Sequence, residues 1–231
     1  MPLTKKIINF SRKNKCSHIP SALSMATYIN FLFENKLVEP FKDKIVLGKP
    51  FGSQAYYIIW KELGYLNDIE NLSIGVKHKE IPFVEYSEET MGNALGVAAG
   101  ISIANPDKKV WVNLTDATLQ MGSALEAIQY IGQNKLKNIF LTVDNNNCQV
   151  TGNTVDIIDI NPVIEMAKMY NWHVVKIDGH DEQCMQRELM SIDNDDKPVL
   201  VNFLTKKGYG VSYMEANPIY WHYKLIQDHE I

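Results

Sequence analysis

The sequence predicts an α/β fold, a parallel sheet with helices on both faces, in a single domain over residues 1–231 that opens with a helical segment. From about residue 109 onward, short apolar runs alternate regularly with stretches of helical periodicity. The runs KVWVNL, NIFLTV, WHVVKI and VLVNFL are near-continuous, as strands become when both faces are covered. With 231 residues, 45% hydrophobic and 22% charged, the chain has the composition of one large soluble domain, and no repeat or low-complexity linker divides it.

Thr4 to Lys13 reads as a helix, as does Ser21 to Glu34, where Ala22, Met25, Ile29 and Leu32 recur at helical spacing. Ser21, directly after Pro20, is placed as the N-cap of that second helix. KIVLG (44–48) is a strand, and Gln54 to Leu63 a helix ended by Gly64. The polar stretch GVKHKEIPFVEYSEET (75–90) is long enough to suggest a binding loop. In MGNALGVAAGISIAN (91–105), Gly92, Gly96 and Gly100 fall at every fourth position of one helical face. That face either packs tightly on the sheet or turns toward a ligand. Strands at 109–114, 138–143, 172–177 and 199–204 then alternate with helices at 119–131, 162–170 and 182–190.

The formal charge of −4 and a pI near 5.9 give no basic excess, which argues against a nucleic-acid partner or an anionic membrane surface. Cys16, Cys148 and Cys184 form neither a disulfide framework nor a zinc pattern, so a reducing compartment is the simplest expectation. No stretch approaches the 18 or so apolar residues of a membrane span, and the first residues lack a signal-peptide core. These features lead to the expectation of a cytoplasmic protein.

The segment LTVDNNNCQV (141–150) leaves an apolar strand through Asp144, Asn145, Asn146 and Asn147. Asn and Asp favour turns, so the run either ends the strand or supplies an oxygen to an ion. In parallel sheets ligands bind at the carboxyl ends of strands. Asp116 follows one strand and Asn146 the next, and neighbouring strands lie roughly 5 Å apart, so the two oxygens can converge on one cation. A magnesium ion takes about six oxygens, several from phosphate or water. One carboxylate and one amide leave positive charge for a diphosphate to neutralise.

Asp116 and Asn146 stand thirty positions apart, and TDATLQMGSALEAIQYIGQNKLKNIFLTVDNNNCQVTG resembles the thiamine-diphosphate motif of transketolases, GDG followed about thirty residues later by Asn. NKCSHIPSALSMATYI is similar to that family's SGH segment, KIVLGKPFGSQAYYIIWKELGYL to its KGHA segment, and MGNALGVAAGISIA to its LGQGLSxAxGxA helix. NWHVVKIDGHD, KKGYGVSYME and YWH continue the likeness in the same order, from about residue 5 to 222. The likeness is strongest to the family's amino-terminal half, whose fold is a thiamine-diphosphate-binding α/β sheet.

The resemblance implies roles for matching positions. Asp116 and Asn146 would be Mg²⁺ ligands, and Cys148 would add its backbone carbonyl. Ala117 would offer its N–H to the diphosphate, Val150 would pack beside the thiazolium ring, and Met91 would belong to the cofactor-binding set. His18 matches the family histidine near the substrate channel, and His222 one near the diphosphate. Without the family, His18 reads as a polar loop residue and His222 as part of an aromatic cluster with Tyr220, Trp221 and Tyr223. Asp144 matches the acid of the family's VDYN segment, with Asn145 and Asn147 shaping the turn. His180 is placed as structural, and His78, His173 and His229 receive no role.

Departures from the pattern are as informative. Phe51 stands where KGHA has its substrate-holding histidine, Thr115 and Ala117 replace both glycines of GDG, and Met121 replaces a glutamate used in coupling between subunits. Glu89 and Thr90 stand where a glycine-containing turn meets the aminopyrimidine. The glutamate that activates the cofactor lies in the family's carboxyl half. The expectation is therefore an amino-terminal subunit of a split transketolase-like enzyme, working with a carboxyl-half partner in an α2β2 hetero-oligomer. It would use thiamine diphosphate and Mg²⁺ to move a two-carbon ketol unit from a ketose, with modified sugars among the candidates, to an aldehyde. The alternatives are a thiamine-dependent 2-oxo acid decarboxylase subunit and a noncatalytic scaffold or regulatory subunit.

Overall fold

The computed structural model describes residues 1–192 and 196–226; His229 lies outside the described residues. The chain begins with α1 (Leu3–Lys13) and α2 (Ile19–Glu34), then β1 (Lys44–Leu47), α3 (Ser53–Glu62), β2 (Val84–Ser87) and α4 (Ala94–Ala104). β3 (Val110–Thr115) runs through a 3-10 turn at Asp116–Gln120 into α5 (Gly122–Gln133), followed by β4 (Ile139–Asn145), the single turn α6 (Thr154–Ile157) and α7 (Asn161–Met169). β5 (His173–Asp178), α8 (Glu182–Leu189), β6 (Val199–Leu204) and α9 (Ser212–Ala216) complete it.

The six strands form one sheet in the order β2-β1-β3-β4-β6-β5, and every pairing is parallel. Side chains of a strand alternate between faces, and β3 displays this directly. Trp111 joins the core formed with α1, α2, α3 and α8, while Val112 and Leu114 join the core beneath α4, α5 and α7. Helices thus cover both faces, as the apolar runs predict. Several buried polar groups on the first face pair with one another. Asn113 accepts from Tyr28 and Thr142 and donates to Tyr56, and Thr142 accepts from the Trp111 indole.

The chain leaves β1 toward the β2 edge but leaves β3 toward β4, so their carboxyl ends form a point where connections diverge. Such a point opens a crevice for a ligand. β3 and β4 are direct neighbours, with Thr115 opposite Asp144 in the register.

The structure corrects several expectations. Ser21 is not an N-cap: α2 starts at Ile19, with His18 in the left-handed region at φ 59° and Pro20 in the first turn. Proline's fixed φ suits that first turn, which moves the boundary two residues back. The stretch 75–90 is not loop throughout, because Val84–Ser87 pairs with β1 as an edge strand. The glycine stripe does not lie on one helix. Gly92 precedes α4 with φ +123°, and a Cβ there would come within 2.8 Å of Ser123 Oγ. Gly96 and Gly100 are exposed, with no atom within 4 Å of an added Cβ, so this face packs on no sheet within the chain. The helix expected at 119–131 begins as a 3-10 turn, and the α-helix starts only at Gly122.

Candidate functional site

Four parallel strands deliver their carboxyl ends to one cavity of about 490 Å³. β1 contributes Gly48 and Lys49, β3 Thr115 and Ala117, β4 Asn146, Cys148 and Val150, and the segment after β6 contributes Lys207. Met91, His18 and His222 also line it. Of the residues assigned to the site from the sequence, only Asp116 is absent from the lining; its buried carboxylate is bonded to Thr115 and Ala117, which do line it.

Asp116 opens the 3-10 turn and is fully buried. Its Oδ1 accepts from the Thr115 hydroxyl at 2.9 Å and the Ala117 N–H at 2.7 Å, and its Oδ2 from the Thr154 hydroxyl at 3.0 Å. All three donors are neutral, and among the described residues no lysine or arginine pairs with it. Burial, reinforced by the nearby Asp144, pushes its pKa up. A carboxylate in this state is stabilised by any cation brought near.

The three asparagines divide as the turn requires. Asn145 ends β4, and its carbonyl accepts from Thr205 N–H. Asn147 takes the left-handed conformation at φ 52°, and its Oδ1 receives the Val155 N–H at the start of α6. Asn146 alone faces the cavity. Its Nδ2 donates to Asp144 at 2.8 Å, and its Oδ1 accepts the Cys148 N–H at 3.0 Å. The Cys148 carbonyl already receives a cationic donor, Lys207 Nζ, at 2.9 Å. The Cys148 thiol is buried with its pKa raised by burial, and its role here is confined to the backbone.

Two lysines belong to the site although no role falls to them in the sequence. Lys49 follows β1 and forms a buried ion pair with Asp144. Burial alone would raise the Asp144 pKa, but Lys49 and the hydroxyls of Ser24 and Thr205 outweigh it, and the carboxyl sits below its ordinary value. Lys207 is 4% exposed and donates only to neutral acceptors, the Cys148 carbonyl and His222 Nδ1, each at 2.9 Å. Burial lowers its pKa. The signal that finds both is positional: a lysine within a few residues of the carboxyl end of a buried parallel strand, as in LGK and LTKK.

His18 and His222 come together. The His18 N–H donates to the His222 carbonyl at 3.0 Å, and their rings meet edge-on at 4.9 Å. Burial, with the nearby lysines, lowers the His18 pKa to about 4 and that of His222 to about 3. Both imidazoles are therefore neutral near pH 7. With Lys207 donating to Nδ1, the His222 proton sits on Nε2. Phe51 stacks on His18 at 4.9 Å and 22°, and its ring also lies close to Gly75, where a Cβ would come within 3.2 Å of it. Bridged to Gly75 through the backbone, Phe51 gives the cavity an apolar wall. Glu88 caps α4, accepting the N–H groups of Gly92, Asn93 and Ala94, and Glu89 reaches the cavity lining. His180 lies apart, with Nε2 accepting the Lys206 N–H and the ring stacked on Tyr209 at 3.6 Å.

Among the described residues, no three histidine, cysteine or acidic side chains converge to hold a metal by themselves, and no helix is long and apolar enough to cross a membrane. A cation bound near Asp116 would need further oxygens from a ligand.

The family described as transketolase, thiamine diphosphate binding domain, matches residues 7–230. The chain is 31% identical over 209 residues to one subunit of the apulose-4-phosphate transketolase of Actinobacillus succinogenes, covering 84% of this chain and 75% of that protein. It is 24% identical over 203 residues to one subunit of the 6-deoxy-6-sulfo-D-fructose transketolase of a Clostridium species, covering 82% and 74%. Among solved structures, a transketolase from Campylobacter jejuni superposes with a TM-score of 0.80 at 20% identity, over 99% of this chain and 40% of that one. The chain thus spans less than half of that transketolase's length.

Proposed function

Since the chain belongs to the transketolase family, as its thiamine-diphosphate-binding domain, we propose that it is the amino-terminal subunit of a split enzyme that transfers a two-carbon ketol unit from a ketose to an aldehyde. What supports this reading is that the buried Asp116 carboxylate, the Asn146 amide and the Cys148 carbonyl all follow the carboxyl ends of the directly paired β3 and β4, with the buried Lys207 ammonium on that carbonyl.

The donor set fits Mg²⁺ and a diphosphate. Asp116, Asn146 and the Cys148 carbonyl would hold the ion, hard oxygens for a hard cation that completes its shell from phosphate. Lys207 gives an ammonium in a nearly dry position, held by the Cys148 carbonyl and His222 Nδ1 and left for an anionic ligand to neutralise. His222 Nε2 adds a donor, the Ala117 N–H would have to be shared with Asp116 Oδ1, and Met91 and Val150 supply apolar contact. When bound, thiamine diphosphate supplies the carbon nucleophile and the electron sink for cleavage of the donor. The chain's own residues anchor the diphosphate, exclude water and orient the donor, with His18 presenting a neutral imidazole near the reacting end. A carboxyl-half partner would supply the activating glutamate, in a cytoplasmic α2β2 assembly. That the relatives are themselves named as single subunits of a transketolase supports such a partner.

Phe51 bears on the donor. An aromatic wall in place of an imidazole removes a hydrogen-bond partner, which favours a modified sugar over a fully hydroxylated ketose. A relative named for 6-deoxy-6-sulfo-D-fructose supports a modified sugar as the class of donor. The same wall is compatible with a 2-oxo acid donor, and product analysis with ketose and 2-oxo acid donors, in the presence of the partner, separates the two reactions.

The test of the reading is calorimetric titration of thiamine diphosphate into the chain with its partner, with and without Mg²⁺. Saturable, Mg²⁺-dependent binding is expected. No heat at millimolar cofactor would favour the noncatalytic scaffold.

A further inference from the structure

Asp144 sits at the end of β4, two residues before Asn146, and is fully buried. Four groups from four parts of the chain donate to its carboxylate. Ser24 of α2 does so at 2.6 Å, Thr205 after β6 at 2.5 Å, Asn146 Nδ2 at 2.8 Å, and Lys49 after β1 as an ion pair. Three of them, Ser24, Asn146 and Lys49, meet Oδ2 and Thr205 meets Oδ1, so the oxygen that receives the Asn146 amide is fully engaged. Burying a charge is costly, and neutralising Lys49 accounts for only part of the arrangement.

The remaining part concerns the Asn146 amide. A carboxylate can only accept and a backbone N–H can only donate. Asn146 meets the first through Nδ2 and the second, from Cys148, through Oδ1. Turning the amide over would set an oxygen against the Asp144 carboxylate and an NH₂ against the Cys148 N–H, two repulsive contacts in place of two hydrogen bonds. Only one orientation is allowed, and Asp144 enforces half of it. A carbonyl oxygen has two lone pairs, so Oδ1 retains one after accepting from Cys148.

We propose that Asp144 is a positioning residue that locks the Asn146 amide with its oxygen available to the cofactor's metal ion, a role that rests on the thiamine-diphosphate reading above. Lys49 and Ser24 share Oδ2 with the Asn146 amide and hold the negative charge there, while Thr205 donates to the other oxygen, Oδ1. Groups that orient a metal ligand in this way typically change metal affinity by about 10–100-fold when replaced.

The test uses the full chain with its carboxyl-half partner and follows thiamine diphosphate binding by calorimetry at stepped Mg²⁺ concentrations, with the melting temperature of each cofactor-free variant measured in parallel. Asp144→Asn should raise the Mg²⁺ needed for half-saturation by about 10–100-fold. Exchanging the two groups, Asp144→Asn with Asn146→Asp, should restore it to within about 5-fold of the parent, because a carboxylate at position 146 has two equivalent oxygens and needs no orienting. Thr205→Val removes a donor to Asp144 without touching Asn146 and should shift Mg²⁺ dependence by less than about 2-fold. The proposal is overturned if Asp144→Asn keeps the parent's Mg²⁺ dependence, if Thr205→Val loses as much as Asp144→Asn, or if the exchanged pair melts like the parent without recovering. Should Asp144→Asn fail to fold, the exchanged pair decides alone. A parent complex that binds no cofactor would instead overturn the functional reading beneath it.

Discussion

Replacing Lys207 with methionine should move cofactor affinity and stability in opposite directions. The ammonium is 4% exposed, and no carboxylate within the described residues pairs with it; its acceptors are a carbonyl and an imidazole. A unit charge about 4 Å from an anionic phosphate oxygen is worth about 4 kcal/mol at an effective dielectric of about 20. Removing one partner of a buried, hydrogen-bonded charge pair typically costs about 2–5 kcal/mol. Lys207→Met should therefore weaken thiamine diphosphate binding by about 30- to 4000-fold, at about 1.4 kcal/mol per factor of ten. Without cofactor the sign reverses. Burial lowers the lysine's pKa in the folded chain, so at neutral pH the unfolded state holds that proton more favourably. The cofactor-free variant should melt at the parent's temperature or above it. Calorimetry of cofactor binding, paired with thermal melts of the free chain, reads both. Parental affinity in Lys207→Met would refute the assignment of this ammonium to the diphosphate, and a large drop in melting temperature would refute the claim that it is strained when free.

Histidine titration sets a pH dependence. His18 and His222 take up protons at about 4 and about 3 in the folded chain, but near 6.5 when unfolded, so their contribution to stability is fully present above about pH 6.5 and is lost as pH falls from there through those folded values. His222→Gln should flatten that decline in denaturant titrations run from pH 7 to 3.5. Phe51→His restores a hydrogen-bonding ring and should lower KM for a fully hydroxylated ketose relative to a deoxy donor, with little change in cofactor affinity; equal selectivity in the two proteins would exclude Phe51 from donor recognition. Gly92→Ala meets both an unfavourable φ of +123° and Ser123 Oγ at 2.8 Å, and should cost about 1–3 kcal/mol, read as a fall in melting temperature of about 2–10 °C.

The parallel sheet was legible because its strands are apolar on both sides, and that follows from being covered on both faces. The placement of the two proposed ion ligands was legible for a related reason. Asp116 and Asn146 each follow a strand that carries its own signal, so the fold alone brings them to neighbouring ends. What stayed hidden depended on contacts distant in sequence. β2 lies in a polar stretch and becomes a strand only by pairing with β1 at the sheet's edge. Ser21 looks like a cap, but Pro20 in the first turn starts the helix earlier. Lys49 and Lys207 look like ordinary surface lysines, and their burial comes from Asp144, Cys148 and His222, which lie 15 to 95 positions away. Phe51 was visible as a departure, yet its stacking on His18 and its seat on Gly75 required the loop at 75 to fold back.

The most direct measurement is Mg²⁺-dependent thiamine diphosphate binding by the assembled complex, comparing the parent with Asp116→Ala. Loss of Mg²⁺-dependent binding, with an unchanged far-UV spectrum and cooperative melting, is the predicted result, since Asp116 is the one protein carboxylate assigned to the ion. Binding in Asp116→Ala with the parent's affinity and Mg²⁺ requirement would contradict it.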